Sequence, residues 1–400
     1  MKTRKATTKA FPRVHTQRTV YEASCERYAR LLREFDTVIV MFSGGKDSTS
    51  ALHCAMDARE SVGGELQVWF FDEEAIPPET IEYVERIRTA YPDGFSWYCV
   101  PVKHRNACSR REPYWYPWEP AKRDLWVRDL PENVLLTSPG FQFGMDMEET
   151  NDAEIKRIPG RVVQSFGIRA QESLRRQNMV SSKLKDNWIM DHTPKGGVVR
   201  AYPIYDWRTE DVWFAPQKFG WDYNQSYNVM DKIGMAPLLQ RIGPPFGEEP
   251  LRGLHRFKEC WPEMWAKMVY RVPGAAAAAR YANTDLYGYG SLKPPPGKTW
   301  QTWFYDLLGY YPPDVRRMVK KRASEYLGAH QREGLGEIPD EGADPGSGVS
   351  WEFLCRVVLL GDFKRRQTTK RLGNRIKAQE QAGLTRDEMR RLRYAKKTAT

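Results

Sequence analysis

The apolar run Thr37-Val38-Ile39-Val40-Met41-Phe42 stops at Ser43-Gly44-Gly45-Lys46-Asp47-Ser48, and a helical pattern follows over 48–60. This junction constrains the chain more than any other feature. A short, near-continuous apolar run reads as a strand covered on both faces. Glycine lets the backbone turn where other residues cannot and lets a ligand come close to it. The first N–H groups of a helix have no partner inside it and face outward with partial positive charge, which suits an anion. Ser43 and Ser48 add hydroxyl donors and Lys46 a point charge. Asp47 does not suit a bare anion cradle, but a Mg²⁺ bridging it to phosphates would account for it. The spacing G-x-x-x-x-G-K-[ST] is absent, because the upstream glycine is missing. The plain alternative is a strand-turn-helix whose polar residues merely occupy a turn.

The rest of the chain extends this start. Apolar runs recur at 66–71, 95–100, 133–138 and 161–168, and a second helical pattern covers 79–90. Residues 20–34 carry apolar positions at helical spacing. Strands alternating with helices imply right-handed crossovers, hence an α/β class with a Rossmann-like, parallel five-stranded sheet and helices on both faces. A mainly helical C-terminal region follows, with helical segments at 251–270, 301–328 and 351–361. The expected organisation is a flexible basic arm over 1–20, an α/β domain over 21–215 that carries the anion-binding turn, and a helical extension over 216–332. An exposed linker over 333–350 then leads to a helical segment with a basic tail over 351–400. Thr385 and Glu388 stand at capping-box spacing and predict a basic terminal helix.

Charge is concentrated at the ends. The formal net charge is +11, yet residues 362–400 alone hold 13 Lys/Arg against 4 Asp/Glu, and residues 1–20 hold six basic residues and no acidic one. Such ends are solvated tails or polyanion-binding segments. The first twenty residues lack the apolar core of a secretory signal. No run of about 18 apolar residues predicts a membrane span. The six cysteines include no C-x-x-C pair, which argues against a zinc ribbon or iron–sulfur cluster and suits a reducing, cytoplasmic setting. The histidines show no metal-binding spacing, and His104, between Lys103 and Arg105 after the third strand, is a candidate for the lining of the site.

At this point the string Ser43-Gly44-Gly45-Lys46-Asp47-Ser48 resembles the pyrophosphatase loop (PP-loop) of the adenine nucleotide alpha-hydrolase superfamily. Three later elements resemble its phosphoadenosine phosphosulfate (PAPS) reductase-like branch. The first is Asp72 followed by Pro78-Glu79-Thr80, with Glu73-Glu74 in place of the branch's Thr-Gly. The second is FGIRAQESLRR (166–176), which contains Gly167, Arg169, Glu172 and Arg176. The third is Pro203-Ile204, Trp207 and Asp211-Val212-Trp213, where both tryptophans are expected in the core. Residues beyond 215 resemble the extension of the IbrA-type prophage and plasmid proteins, which implies a ParB/sulfiredoxin-like protein partner.

The resemblance implies an enzyme binding ATP or PAPS, with Mg²⁺. The implied nucleotide-binding residues are Ser43, Gly44, Gly45, Lys46, Asp47, Ser48, Asp72, Gly167, Arg169, Glu172 and Arg176. Lys46, Asp47 and Arg169 are implied to be catalytic, and Asp47 would meet Mg²⁺ through the phosphates. The arginines are suited to bidentate anion binding. The reductase branch attacks sulfur with a cysteine in a Glu-Cys-Gly-Leu-His tail, which this chain lacks, and Glu259-Cys260-Trp261 shares only two of its letters. The expected chemistry is therefore attack at the α-phosphate of ATP, with AMP transfer and pyrophosphate release. Two alternatives stand beside it, a sulfonucleotide reductase and a nucleotide-sensing regulator that binds nucleic acid. The regulator reading draws on the basic tail and on RREPYWYPWEPAKRDLWVR (110–128), whose aromatics among cations could stack bases or brace a loop against the sheet. The Glu73-Glu74 pair is expected either to hold metal or to face solvent.

Overall fold

The computed structural model describes residues 17–172, 176–177, 188–190, 198–237, 240–247, 250–281, 293–360, 367–385, 387–389, 391–392 and 394. Most of the expected basic arm, residues 173–175 of the arginine element and much of the expected terminal helix lie outside them. The chain forms two compact units. The first comprises residues 1–104 and 115–272, the second 105–114 and 273–400.

The first unit opens with α1 (Val20–Glu34), whose Thr19 and Glu22 form a reciprocal capping box. Then come β1 (Thr37–Phe42), α2 (Lys46–Val62), β2 (Leu66–Phe71), α3 (Pro78–Ala90) and β3 (Phe95–Tyr98). Helix α4 (Met147–Ile155), β4 (Val162–Phe166), β5 (Ile189–Met190) and β6 (Val199–Ala201) follow, then α5 (Thr209–Phe219), α6 (Ser226–Lys232), α7 (Leu254–Cys260) and α8 (Pro262–Arg271). The sheet has six strands in the order β3-β2-β1-β4-β6-β5. All neighbours are parallel except β5 against β6.

Alternation along β1 sends side chains to two apolar layers. Val38, Val40 and Phe42 join Leu31, Leu52 and Tyr83 from α1–α3. Ile39 joins Trp69, Tyr98, Ile155 and Val162 on the other face. The parallel α/β class and the two-faced cover agree with the sequence reading, but the roll of strands does not. Residues 133–138 form no strand. They contribute an isolated parallel bridge between Leu135 and Tyr98, and Asn133 enters with positive φ. The fifth parallel strand is β6, and β5 adds an antiparallel sixth.

The expected boundary at 215/216 is also wrong. Residues 216–272 belong to the first unit, because Asn224, Tyr227 and Arg271 bury polar bonds inside it.

The second unit contains α9 (Ala275–Tyr281), α10 (Trp300–Gly309), α11 (Pro313–Glu333), α12 (Trp351–Leu360) and α13 (Gln367–Gln381). Its core joins Trp300, Phe304, Val319, Phe353 and Val357. The segment 333–350 is not an exposed linker. Asp340 caps α10 through the amides of Trp300 and Gln301. Buried His330 bonds Ser347 Oγ at 2.8 Å and the Gly336 carbonyl at 2.9 Å. Polar anchoring, invisible to composition, fixes this Gly- and Pro-rich stretch.

Candidate active site

The order of the sheet reverses between β1 and β4, and open α/β sheets leave a crevice beyond the strand ends at such a point. The Ser43–Ser48 loop stands there. Gly44 has φ +71°, and a Cβ on it would lie 3.0 Å from Thr80 Cγ2. Both the turn and the close packing therefore require glycine. Gly45 is the N-cap of α2 and supplies no side-chain cap, so the first-turn amides of α2 are left for other acceptors. Ser48 Oγ ties the loop together, donating to the Gly45 carbonyl at 2.9 Å and accepting from the Ser43 amide at 3.2 Å.

Across the crevice, the segment after β4 reaches the same point. A Cβ on Gly167 would come within 2.7 Å of the Ser48 amide nitrogen, so only glycine lets the two segments meet. Arg169 follows, only 3% exposed, and its Nε–H donates to Asp47 Oδ1. Its other nitrogens reach Thr209 Oγ1 at 3.3 Å and Glu172 Oε1 at 3.8 Å, and Glu172 pairs with Arg176. On the other side of Asp47, Lys46 Nζ lies 3.2 Å from Oδ2. Ser43, Gly44, Gly45, Lys46, Asp47, Ser48, Gly167, Arg169, Glu172 and Arg176 thus converge, with charges alternating along Lys46–Asp47–Arg169–Glu172–Arg176.

Asp72 does not join them. Its buried carboxylate accepts from Trp97 Nε1 and the Glu74 amide, each at 2.9 Å, and pairs with Arg128. A strand-end carboxylate with this many internal donors braces the loop that follows. Glu74 is neither a metal ligand nor solvated. It is buried with positive φ and accepts from Arg271 at 2.8 and 3.0 Å and from the amides of Trp118 and Val127. Glu73 lies 3.2 Å from His104 Nδ1, which accounts for His104. Among the described residues no group of three or more His, Cys, Asp or Glu side chains could hold a metal ion. A Mg²⁺ would find two carboxylates here, Asp47 and Glu172, each already paired with cations. The residues fit a metal carried in on phosphates, not a resident one.

The stretch 115–128 is mostly a brace. Trp115 and Trp118 are buried, Trp118 Nε1 donates to the Asp72 carbonyl, and the Arg128 guanidinium stacks 4.8 Å from the Trp118 ring centre. Cys260 is half-buried, and its thiol is pushed up to about 11 by burial and by Glu259 and Glu79. A thiol so placed is a poor nucleophile at neutral pH.

The sequence reading missed a whole wall of the site. Asn224 Nδ2 donates to the Gly44 carbonyl at 2.9 Å and to Thr80 Oγ1 at 2.8 Å. The Tyr227 hydroxyl accepts the Lys46 amide at 3.1 Å. Trp207 lies in the core as expected, with Nε1 on Ser24 Oγ. Trp213 departs from expectation. It is half-buried, 5.9 Å from Lys46 Nζ and edge-on to Tyr227 at 4.9 Å. The only signal for this wall was the polar, aromatic string DYNQSYN (222–228).

A family model described as "Phosphoadenosine phosphosulfate reductase domain" matches residues 37–237. A second, "Domain of unknown function (DUF3440)", matches 234–340. The chain is 31% identical over 364 residues to the uncharacterized protein YbdN of Escherichia coli (strain K12), covering 86% of this chain and 88% of YbdN. It is similar to the solved phosphoadenylyl-sulfate reductase of Candida auris in a phosphate complex, at 14% identity and a TM-score of 0.32, over 58% of this chain and 96% of that one. It is also similar to the Candida glabrata FMN adenylyltransferase solved with FAD and inorganic pyrophosphate, at 12% identity and a TM-score of 0.32. That match covers 54% of this chain and 64% of the other, so this chain spans less than two-thirds of that structure. No helix among the described residues is long and apolar enough to cross a membrane.

Proposed function

The chain belongs to the family of the phosphoadenosine phosphosulfate reductase domain, and on that premise we propose that it is an enzyme that binds ATP in the crevice at the start of α2 and transfers AMP to an acceptor. The observation that carries the reading is the meeting of Lys46, Asp47 and Arg169 at the glycine turn. The Gly44 and Gly45 backbone and Lys46 form the seat of the β- and γ-phosphates. Arg169 faces the charge that develops at the α-phosphate, where fixed donors stabilise a transition state most. Asp47 is the positioning residue, since it holds both cations at one carboxylate. Gly167 permits the approach, and Glu172 with Arg176 extends the charged row.

In the reaction a nucleophilic atom of the acceptor attacks the α-phosphorus. The bond from that phosphorus to the bridging oxygen breaks, and pyrophosphate leaves with the electron pair. Mg²⁺ bound to the phosphates would supply counter-charge to the leaving group. The half-buried, high-pKa Cys260 weighs against a reductase that would use it as the nucleophile.

The test is incubation of the full chain with ATP labelled at the α-phosphate and candidate acceptors. Label transfer with release of unlabelled pyrophosphate supports the reading. Sulfite formation from PAPS with a thioredoxin, and no AMP transfer, would replace it by the reductase.

A further inference from the structure

The second unit holds a cleft that the chemistry proposed above does not use. This cleft, of about 420 Å³, is lined by Glu352 and Arg356 of α12 and by Lys370, Asn374, Lys377 and Gln381 of α13. The positions 370, 374, 377 and 381 are spaced four, three and four residues apart, so they form one stripe along a helix. At 1.5 Å per residue the stripe is about 16 Å long. Every side chain on it is a hydrogen-bond donor.

The opposite aspect of α13 is fixed to the unit. Arg371 donates to Glu333 at 3.3 Å and to the Ser347 carbonyl at 3.1 Å, and Gln379 donates to the Pro345 carbonyl at 2.7 Å. Gly348, at φ +76°, lets the helix lie so close that a Cβ there would stand 2.1 Å from the Arg371 carbonyl oxygen. The stripe is thus held facing α12.

Charge in the cleft is unbalanced. Glu352 is the only carboxylate among the described lining residues, and it already bonds Arg356 at 3.0 and 3.3 Å. Burial, then the Arg356 charge, holds the Lys370 ammonium below its ordinary range. Three cations against one carboxylate, itself bonded to Arg356, call for an anionic ligand. A ladder of donors two to three turns long exceeds what a single phosphate can use, whereas a strand with a phosphate at each nucleotide matches it.

We propose that the cleft between α12 and α13 binds the phosphodiester backbone of a single nucleic-acid strand through Arg356, Lys370 and Lys377, with Asn374 and Gln381 as neutral donors. The site does not depend on the chemistry at the α2 crevice.

The experiment is fluorescence anisotropy of labelled 12-nucleotide oligo-dT and oligo-U with the full chain, across a sodium chloride series. Three cations on a single strand give a slope of log K against log salt near −2, from about −0.7 per phosphate. Replacing Lys370→Gln together with Lys377→Gln is expected to reduce that slope by about 1.4 and to lower affinity at least tenfold at low salt. Lys320→Gln with Lys321→Gln, an equal loss of charge at exposed positions of α11, is expected to leave the slope nearly unchanged. Three results overturn the proposal. The first is wild-type binding by the Lys370/Lys377 variant at an unchanged melting temperature. The second is an equal loss in the Lys320/Lys321 variant. The third is binding of inorganic tripolyphosphate without binding of either oligonucleotide.

Discussion

The Tyr227 hydroxyl accepts the Lys46 amide at 3.1 Å, so a protein oxygen stands where the proposed phosphate seat needs an anionic one. Burial raises the phenol's pKa well above its ordinary value, so the group is neutral and its oxygen is only a weak acceptor. A phosphate oxygen is the stronger partner for that amide. Tyr227→Phe is therefore expected to tighten pyrophosphate binding about fivefold, measured by calorimetry, while lowering stability by about 1 kcal/mol. Weaker pyrophosphate binding in the variant would make the hydroxyl part of the seat.

Asp47 and Arg169 are expected to separate folding from function. Breaking a pair that leaves a buried guanidinium costs about 3 kcal/mol or more, and Arg169 is almost fully enclosed. Asp47→Ala should show that loss in the urea midpoint. Arg169→Lys keeps a cation near Asp47 but loses the planar fork. It should unfold close to wild type yet lose most of the rise in melting temperature produced by ATP. A full ATP response in Arg169→Lys would remove Arg169 from the site.

The Glu74–Arg271 pair offers a cleaner energetic test, because its hydrogen bonds run to Trp118, Val127 and Tyr116 and not to the crevice residues. Both side chains are enclosed and joined by two hydrogen bonds, at 2.8 and 3.0 Å. Glu74→Gln and Arg271→Met alone are each expected to cost about 3–5 kcal/mol, since each strands a buried charge. The double variant should lose at least about 2 kcal/mol less than the two losses added together. Additive losses in urea unfolding would show that the pair is not coupled.

The loop, the parallel sheet and the arginine element were legible because each is local. Gly44-Gly45 follows an apolar strand, and Gly167 and Arg169 follow another. The Asn224–Tyr227 wall was not legible, since its residues act through contacts with Gly44 and Lys46 some 180 positions away in sequence. Nothing near Asn224 in the chain shows that its amide will meet a carbonyl of the loop. The roles of Asp72 and Glu74 were obscured for a similar reason. A carboxylate at a strand end reads as a ligand until its donors, Trp97, Arg128 and Arg271, are seen. The stretch 333–350 misled in the opposite sense, because Gly and Pro suggest a linker whether or not Asp340, Asp344 and Ser347 anchor it.

His53 gives the protein a specific sensitivity to acid. Its ring stacks on Trp221 at 4.5 Å and 8°, it is 8% exposed, and its Nε2 has no hydrogen-bond partner among the described residues. Burial depresses its pKa to about 4, against the weaker opposing pull of Asp57 and Asp222. The unfolded chain takes up this proton near pH 6.5, while the folded one resists it until about pH 4. The stability contributed by neutral His53 is therefore complete above pH 6.5 and is lost as the pH falls toward 4. At about 1.4 kcal/mol per pKa unit, roughly 2–3 kcal/mol should go between pH 7 and pH 4.5. His53→Phe keeps an aromatic ring against Trp221 and cannot titrate. Urea unfolding at the two pH values should show the wild type losing about 2–3 kcal/mol more than His53→Phe. An equal acid loss in both proteins would mean that the imidazole is protonated in the folded state without penalty, and that its burial does not set the acid limit.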